Sequence, residues 1–202
     1  IHCGVRRYVV TSSSEVYNQP KRIPTPEDER LVVPDVLNPR FSYGGGKIIT
    51  ELLAVHYAGK TELETVICRP HNVYGPNMGV GHVIPQFALR LRDMVEESTQ
   101  DILQFPIIGT GEETRAFCYV LDAIDAILLA ADHGEHRGIY HVGTEEEVSI
   151  RSLAEAVAKH RGIPIQIKVS ENLSGAPSRR CPSIEKLRAL GYEPRWTLEQ
   201  GM

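Results

Sequence analysis

An α/β fold built on a parallel sheet is what this 202-residue sequence predicts. Two observations carry the prediction. Short β-rich runs alternate with stretches of helical period, and the first strand–helix–strand passage, over residues 8–70, is the crossover that joins parallel strands. The composition agrees: 42% hydrophobic and 24% charged residues, with no low-complexity tract, describe a globular chain long enough to bury a core.

The elements follow in order. Tyr8, Val9 and Val10 form a strand that stops at Thr11-Ser12-Ser13-Ser14, and small hydroxyl residues at the end of a parallel strand often mark a site. Residues 18–40 carry five prolines and several charges and read as a loop. From Tyr43 to about Ala58 the apolar positions Ile48, Leu52, Leu53 and Val55 suit a helix. The run ETVICRP, 64–70, is a second buried strand that opens into HNVYGP. A helix follows from Ile84 to about Met94, then a polar loop and short strands. Residues 120–133, VLDAIDAILLAADH, are the strongest helix, with Ile124, Ile127, Leu128 and Ala131 on one face. GIYHVG is a strand, and Ser149 begins a helix that keeps its period through Arg151, Leu153 and Val157. No internal repeat is present.

Charge and cysteine usage exclude several classes. A net charge of −4 offers no basic face to a nucleic acid or an anionic membrane. No apolar run approaches the ~20 residues of a membrane span, and no signal peptide opens the sequence. Cys3, Cys68, Cys118 and Cys181 show no paired spacing, and Cys68-Arg-Pro-His71 lacks the second ligand pair that would complete a metal site. Reduced thiols in a cytoplasmic protein are the simpler account, and no metal is expected. Both ends read as cut, so the chain is expected to be part of a longer protein.

The chemistry centres on RFSYGGGKIITELLAVHY, 40–57, where three glycines open a helix although each costs about 1 kcal/mol relative to alanine. Tyr43 and Lys47 stand four apart, hence on one helix face. An ammonium beside a phenol favours the phenolate, which makes a general base or acid. The pair alone more often describes an exposed helix face, because the pattern is common by chance. The glycines favour chemistry, since side chains at 44–46 would fill space through which a flat ligand approaches. A Walker phosphate loop is excluded by Phe41 and Ile48, and Gly109-Thr110-Gly111 lacks the third glycine of a dinucleotide fingerprint.

Together with VVTSSSEVY, these residues resemble the extended short-chain dehydrogenase/reductase family, specifically its NAD-dependent nucleotide-sugar epimerases, dehydratases and decarboxylases. The resemblance spans nearly the whole chain and includes RPHNVYGP (69–76), HVIPQF (82–87), GTGEETRAFCYVLD (109–122), YHVGTEE (140–146) and RRCPSI (179–184). It implies a Rossmann-like doubly wound parallel sheet, its N-terminal part and glycine-rich loop missing, with a smaller α/β C-terminal substrate domain. Residues 1–75 would be the later part of the NAD-binding domain, with strand and helix returns near 110–145, and 76–202 mainly the substrate domain.

The resemblance also implies roles. Ser13, Tyr43 and Lys47 would form the catalytic triad, Tyr43 taking the proton of the sugar 4-hydroxyl while Lys47 holds the nicotinamide ribose. Ser12, Pro70, His71 and Val73 would join Tyr43 and Lys47 around NAD. Asn72, Val83, Pro85, Arg115 and Arg180 would bind the nucleotide-diphosphate sugar, the two arginines at its diphosphate. A homodimer is expected.

The fate of the 4-keto sugar separates the reactions. Ser14-Glu15 lacks the first acid of the dehydratases' Asp-Glu pair, which counts against 4,6-dehydration. Decarboxylases carry Thr-Ser-Glu there and a segment like Arg180-Cys-Pro182-Ser183-Ile184, in which case Glu15 acts after C4 oxidation. Epimerisation needs no such acid and, as the family's commonest activity, is the expected reaction; a non-catalytic sugar-nucleotide binder is the other class. The prolines between Ser13 and Tyr43 read as an active-site flap.

Overall fold

The computed structural model describes residues 4–170 and 178–202; Cys3 lies outside them. Strand β1 (Arg7–Thr11) leads into a single 3-10 turn, Ser14–Tyr17, and after an irregular stretch α1 spans Ser42–Ala58. Strands β2 (Glu64–Pro70) and β3 (Val73–Tyr74), helix α2 (Val83–Glu97), and strands β4 (Leu103–Ile108), β5 (Thr114–Ala116) and β6 (Cys118–Tyr119) follow. Then come α3 (Val120–His133), β7 (Gly138–Val142), β8 (Glu147–Ser149), α4 (Ile150–His160) and β9 (Ile165–Ser170). The two-residue β10 (Arg179–Arg180) and the short helices α5 (Glu185–Arg188) and α6 (Leu198–Gly201) complete the described chain.

The fold is α/β and Rossmann-like, with a parallel sheet in the order β1-β2-β7. Val9 lies beside Val66, and Ile67 beside Ile139. Because β1, β2 and β7 run the same way, Ser12–Glu15 and Pro70–Asn72 emerge at the same carboxyl edge, where open α/β sheets bind ligands. Two apolar cores are present. Val66, Cys68, Ala126, Tyr140 and Val142 build the one beneath this sheet, joined by Ile184 and Leu187. Phe87, Leu91, Phe105, Leu153 and Val157 build the other, where α2 meets α4 and the parallel pair β4–β9.

Three features depart from what the residue pattern suggests. Leu52 and Leu53, apolar positions that suit the α1 helix, are exposed, and the helix buries Gly44, Glu51 and Ala58. On α3 the Ile124–Leu128 face is exposed while Ala123, Ala126 and Ala130 are buried, the small side chains allowing helix and sheet to approach closely. The stretch 18–40 is no free flap. Thr25 donates to Cys181 O at 2.8 Å, Ser183 donates to Thr25 O at 2.8 Å, and Val32 donates to Val16 O at 3.0 Å. Its run 33–40, with Val36 and Leu37, stands in solvent, while Thr25 and Glu27 are buried.

The glycine triplet has a packing cause at its first member. A Cβ on Gly44 would lie 2.7 Å from the carbonyl oxygen of Glu15, so glycine lets α1 touch the Ser14–Tyr17 turn. Gly46 has open space around its would-be Cβ. The two therefore respond oppositely to alanine. Gly44→Ala should lose about 1–3 kcal/mol by overpacking, whereas Gly46→Ala should gain up to about 1 kcal/mol of helix propensity. Urea unfolding of both variants checks this; equal stabilisation by the two would contradict the close approach.

Candidate active site

The site lies where β1 ends against the first turn of α1. Ser13 caps the 3-10 turn, its Oγ accepting the Glu15 N–H at 3.2 Å. Ser12 is buried, its N–H donating to Cys68 O at 2.7 Å, while its Oγ has no partner. Tyr43 is 56% exposed, which leaves its ring accessible. Lys47 donates to Thr11 O at 2.8 Å, and its Nζ stands 5.8 Å from the centre of the Tyr43 ring. The ammonium thus stands beside both the strand end and the Tyr43 ring.

Arginines from the other half of the chain reach the Glu15 turn. In the parallel pairing of β10 with β5, Arg180 stands beside Arg115. Successive residues of a strand point to opposite faces, and the two arginines of β10 divide accordingly: Arg179 binds Glu147, with Nε 2.9 Å from Oε2, while Arg180 pairs with Glu15. Arg115 donates to Thr114 O at 2.6 Å, and burial, with the neighbouring Arg180 charge, pulls it below the ordinary arginine range. Two guanidiniums side by side suit an anionic ligand.

The remaining predicted residues are more spread. Pro70 ends β2, and Val73 is half-buried on β3. Asn72, with φ 40°, uses its Nδ2 to donate to Ala116 O at 3.0 Å. His71 is buried against His141, ring centres 4.5 Å apart, and its Nε2 has no partner. Val83 and Pro85 open α2 about the other core, and Pro85 lines a cleft of ≈ 380 Å³ between Tyr74–Met78 and α4. Among the described residues, no three His, Cys, Asp or Glu side chains gather as a metal-ligand set.

Sequence reasoning missed a buried polar network beneath the site. Arg69, on β2, is 2% exposed. Its Nε and Nη2 donate to the Glu51 carboxylate at 2.9 and 2.6 Å, and its Nη1 donates to Tyr17 Oη at 2.5 Å and Glu27 O at 2.9 Å. His141 Nδ1 lies 2.9 Å from the Ser183 carbonyl, which can only accept, so Nδ1 carries the proton. Its Nε2 then accepts the Tyr17 hydroxyl at 2.6 Å. Burial pushes the Tyr17 phenol up to about 12. A signal was available: an arginine at the end of the apolar run TVIC must find a charge partner.

These geometries can be set beside known proteins. A family model described as NAD dependent epimerase/dehydratase family matches residues 1–143. The chain belongs to that family. UDP-glucuronic acid decarboxylases 5 and 3 of Arabidopsis thaliana are each 35% identical to it over 200 residues, covering 97% of this chain and 55% of theirs. The chain therefore spans about half the length of these relatives. Among solved structures, UDP-glucose 4-epimerase of Thermotoga maritima, bound to UDP-glucose, matches with TM-score 0.79 and 26% identity, over 98% of this chain and 61% of that one. A dTDP-glucose 4,6-dehydratase of Streptomyces venezuelae, with NAD bound, matches with TM-score 0.79 and 26% identity over 99% and 58%. The described residues fit NAD as the family's cofactor: the orphaned Ser12 hydroxyl and the Lys47 ammonium, bonded to Thr11 O, both lie at the end of β1. No helix of the described residues is long and apolar enough to cross a membrane.

The two buried histidines make stability depend on pH. Burial holds His141 near 3 and His71 well below 6.5. Both folded values are depressed, so as pH falls below 6.5 the unfolded chain takes up protons that the folded chain refuses. Stability is complete above that value and falls toward pH 3, at up to about 1.4 kcal/mol per unit for each histidine. Glu27, raised by burial, acts oppositely over a window above 4.5. Urea unfolding between about pH 7 and 5 should show the loss, with a shallower slope in His71→Phe. An unchanged slope in that variant would contradict a neutral, buried His71.

Proposed function

We propose that the full protein oxidises a nucleotide-diphosphate sugar at C4 and that the 4-keto sugar then loses a C6 carboxylate, as in UDP-glucuronate decarboxylation. The observation that carries the reading is the pairing of Glu15 with Arg180 beside the Tyr43–Lys47 pair. The 35% identity to two UDP-glucuronic acid decarboxylases supports it. Tyr43 takes the proton of the 4-hydroxyl, Ser13 hydrogen-bonds the same oxygen, and Lys47 holds the pair in place against Thr11. Ser12, Lys47, Pro70, His71 and Val73 would hold NAD, which would supply a hydride acceptor for C4 and the hydride that restores it.

The chemistry at C5 follows from the ketone. A carbonyl at C4 is β to the C6 carboxylate, so the C5–C6 bond breaks, carbon dioxide leaves, and the electron pair passes into the C4 enolate. The proton from Tyr43 is close to that oxygen. Glu15 and its partner Arg180 govern the proton that returns to C5. Arg115 faces the diphosphate, and Asn72, Val83 and Pro85 line the nucleotide side. The reading includes a homodimer, supported by apolar Ile49, Leu52, Leu53 and Tyr57 exposed on α1, and a cytoplasmic setting, in keeping with three buried free thiols.

4-Epimerisation, the reaction the sequence favoured, is the second reading; likeness to a UDP-glucose 4-epimerase favours it, and it requires no carboxylate at position 15. One pair of variants separates the readings. Tyr43→Phe in the full-length protein should lower turnover by about 10²- to 10⁴-fold with substrate binding nearly intact. Glu15→Gln should still produce enzyme-bound NADH from UDP-glucuronate yet release little product by NMR. Full epimerase turnover in Glu15→Gln would overturn the decarboxylase reading, and near-normal turnover in Tyr43→Phe would overturn C4 oxidation by this site.

A further inference from the structure

Lys47 sits between two points at which α1 is held, and Tyr43 directly precedes the first of them. One is steric, at Gly44, where the helix backbone meets the Glu15 carbonyl with no room for a Cβ. The other is polar, at Glu51, whose carboxylate receives both Nε and Nη2 of Arg69. Residues 44, 47 and 51 are spaced three and four apart and share one helix face. Lys47 is therefore bracketed by its two anchors.

Arg69 also grips the turn that carries Glu15. Its Nη1 donates to Tyr17, two residues beyond Glu15 in the same 3-10 turn, and its guanidinium lies 5.0 Å from the centre of the Tyr17 ring. The same Nη1 donates to Glu27 O of the proline-rich stretch, which Thr25 ties to Cys181 next to Arg180. One guanidinium on β2 thus fixes α1, the Glu15 turn and the route to Arg180. A buried ion pair adds little net stability over apolar side chains of equal volume. What it adds is direction: five N–H donors in a rigid plane admit one arrangement of their acceptors.

We propose that Arg69 is a positioning residue, which through Glu51 and Tyr17 sets the Tyr43–Lys47 pair against Glu15 and so sets the rate of the chemical step. The inference rests on the reading of Tyr43 and Lys47 as the proton-transfer pair. Displacing such a pair by an ångström is enough to slow a reaction by orders of magnitude. Glu51 and Tyr17 touch no substrate in this account; they act through the guanidinium.

Arg69→Met leaves Glu51 buried without a partner and risks unfolding, so Tyr17→Phe is the decisive variant. It keeps the ring and the Arg69–Glu51 pair and removes only the hydroxyl that joins Arg69 to His141. In the full-length enzyme, single-turnover NADH formation should fall at least about tenfold, while the sugar-nucleotide KM stays within about twofold. In the ligand-free protein, backbone amide shifts of Gly44–Lys47 should move although residue 17 lies on another element. Turnover and those shifts equal to the unmodified protein, with only a lower unfolding midpoint, would overturn the proposal, as would a loss expressed mainly in KM. The product made by the unmodified enzyme tests the decarboxylase reading; the rate ratio and the amide shifts test Arg69, so either can fail alone.

Discussion

The Arg69 guanidinium is the constraint from which the rest of the site is built. It sits at the end of a central strand, 2% exposed, and its charge is met within 3 Å by Glu51 while Tyr17 and Glu27 O take its remaining donor. Removing one partner of such a pair leaves an uncompensated buried charge, which costs about 3–5 kcal/mol. Neighbouring elements therefore have little freedom to shift singly. The helix, the 3-10 turn and the proline-rich stretch each contribute an acceptor, and the acceptors fix their mutual distances.

Around this point the site combines rigid and adaptable parts. Gly44 seats α1 on the Glu15 carbonyl, and Lys47 is tied to Thr11 at the strand end. The Glu15–Arg180 pair, by contrast, is partly exposed, with 45% and 19% of the two side chains accessible. Exposed ion pairs contribute at most about 1 kcal/mol, so an anionic ligand can displace this one at small cost. In the proposed reading Arg115, beside Arg180, would supply a second guanidinium to the same anion. Lys47 and the start of α1 are held, and the ion pair is open to solvent.

The elements were legible because their periods and punctuation are strong. The strand over 64–70 and the helix over 120–133 have the bounds that the residue pattern implies. The buried faces of α1 and α3 were not legible. Periodicity puts Leu52, Leu53, Ile124 and Leu128 on the helices' apolar positions, yet these are exposed, and the buried positions are Gly44, Glu51, Ala123 and Ala126. Small residues and a carboxylate give no hydrophobic signal. The contact of Glu15 with Arg180 joins positions 165 apart, and nothing in the sequence connected them. The prolines of 18–40 suggested mobility, but Thr25 and Glu27 bind partners that local sequence does not reveal.

A double-mutant cycle between positions 17 and 51 tests the central claim most directly. Tyr17→Phe and Glu51→Gln remove contacts from opposite ends of one guanidinium, and neither residue is hydrogen-bonded to the other. If Arg69 transmits position between the turn and α1, the unfolding free energies of the two variants should couple by about 0.5–3 kcal/mol, the range seen for residues in one network. The NADH-formation rates should be non-additive in the same variants. Additivity within about 0.3–0.5 kcal/mol, the behaviour of independent sites, would contradict the account.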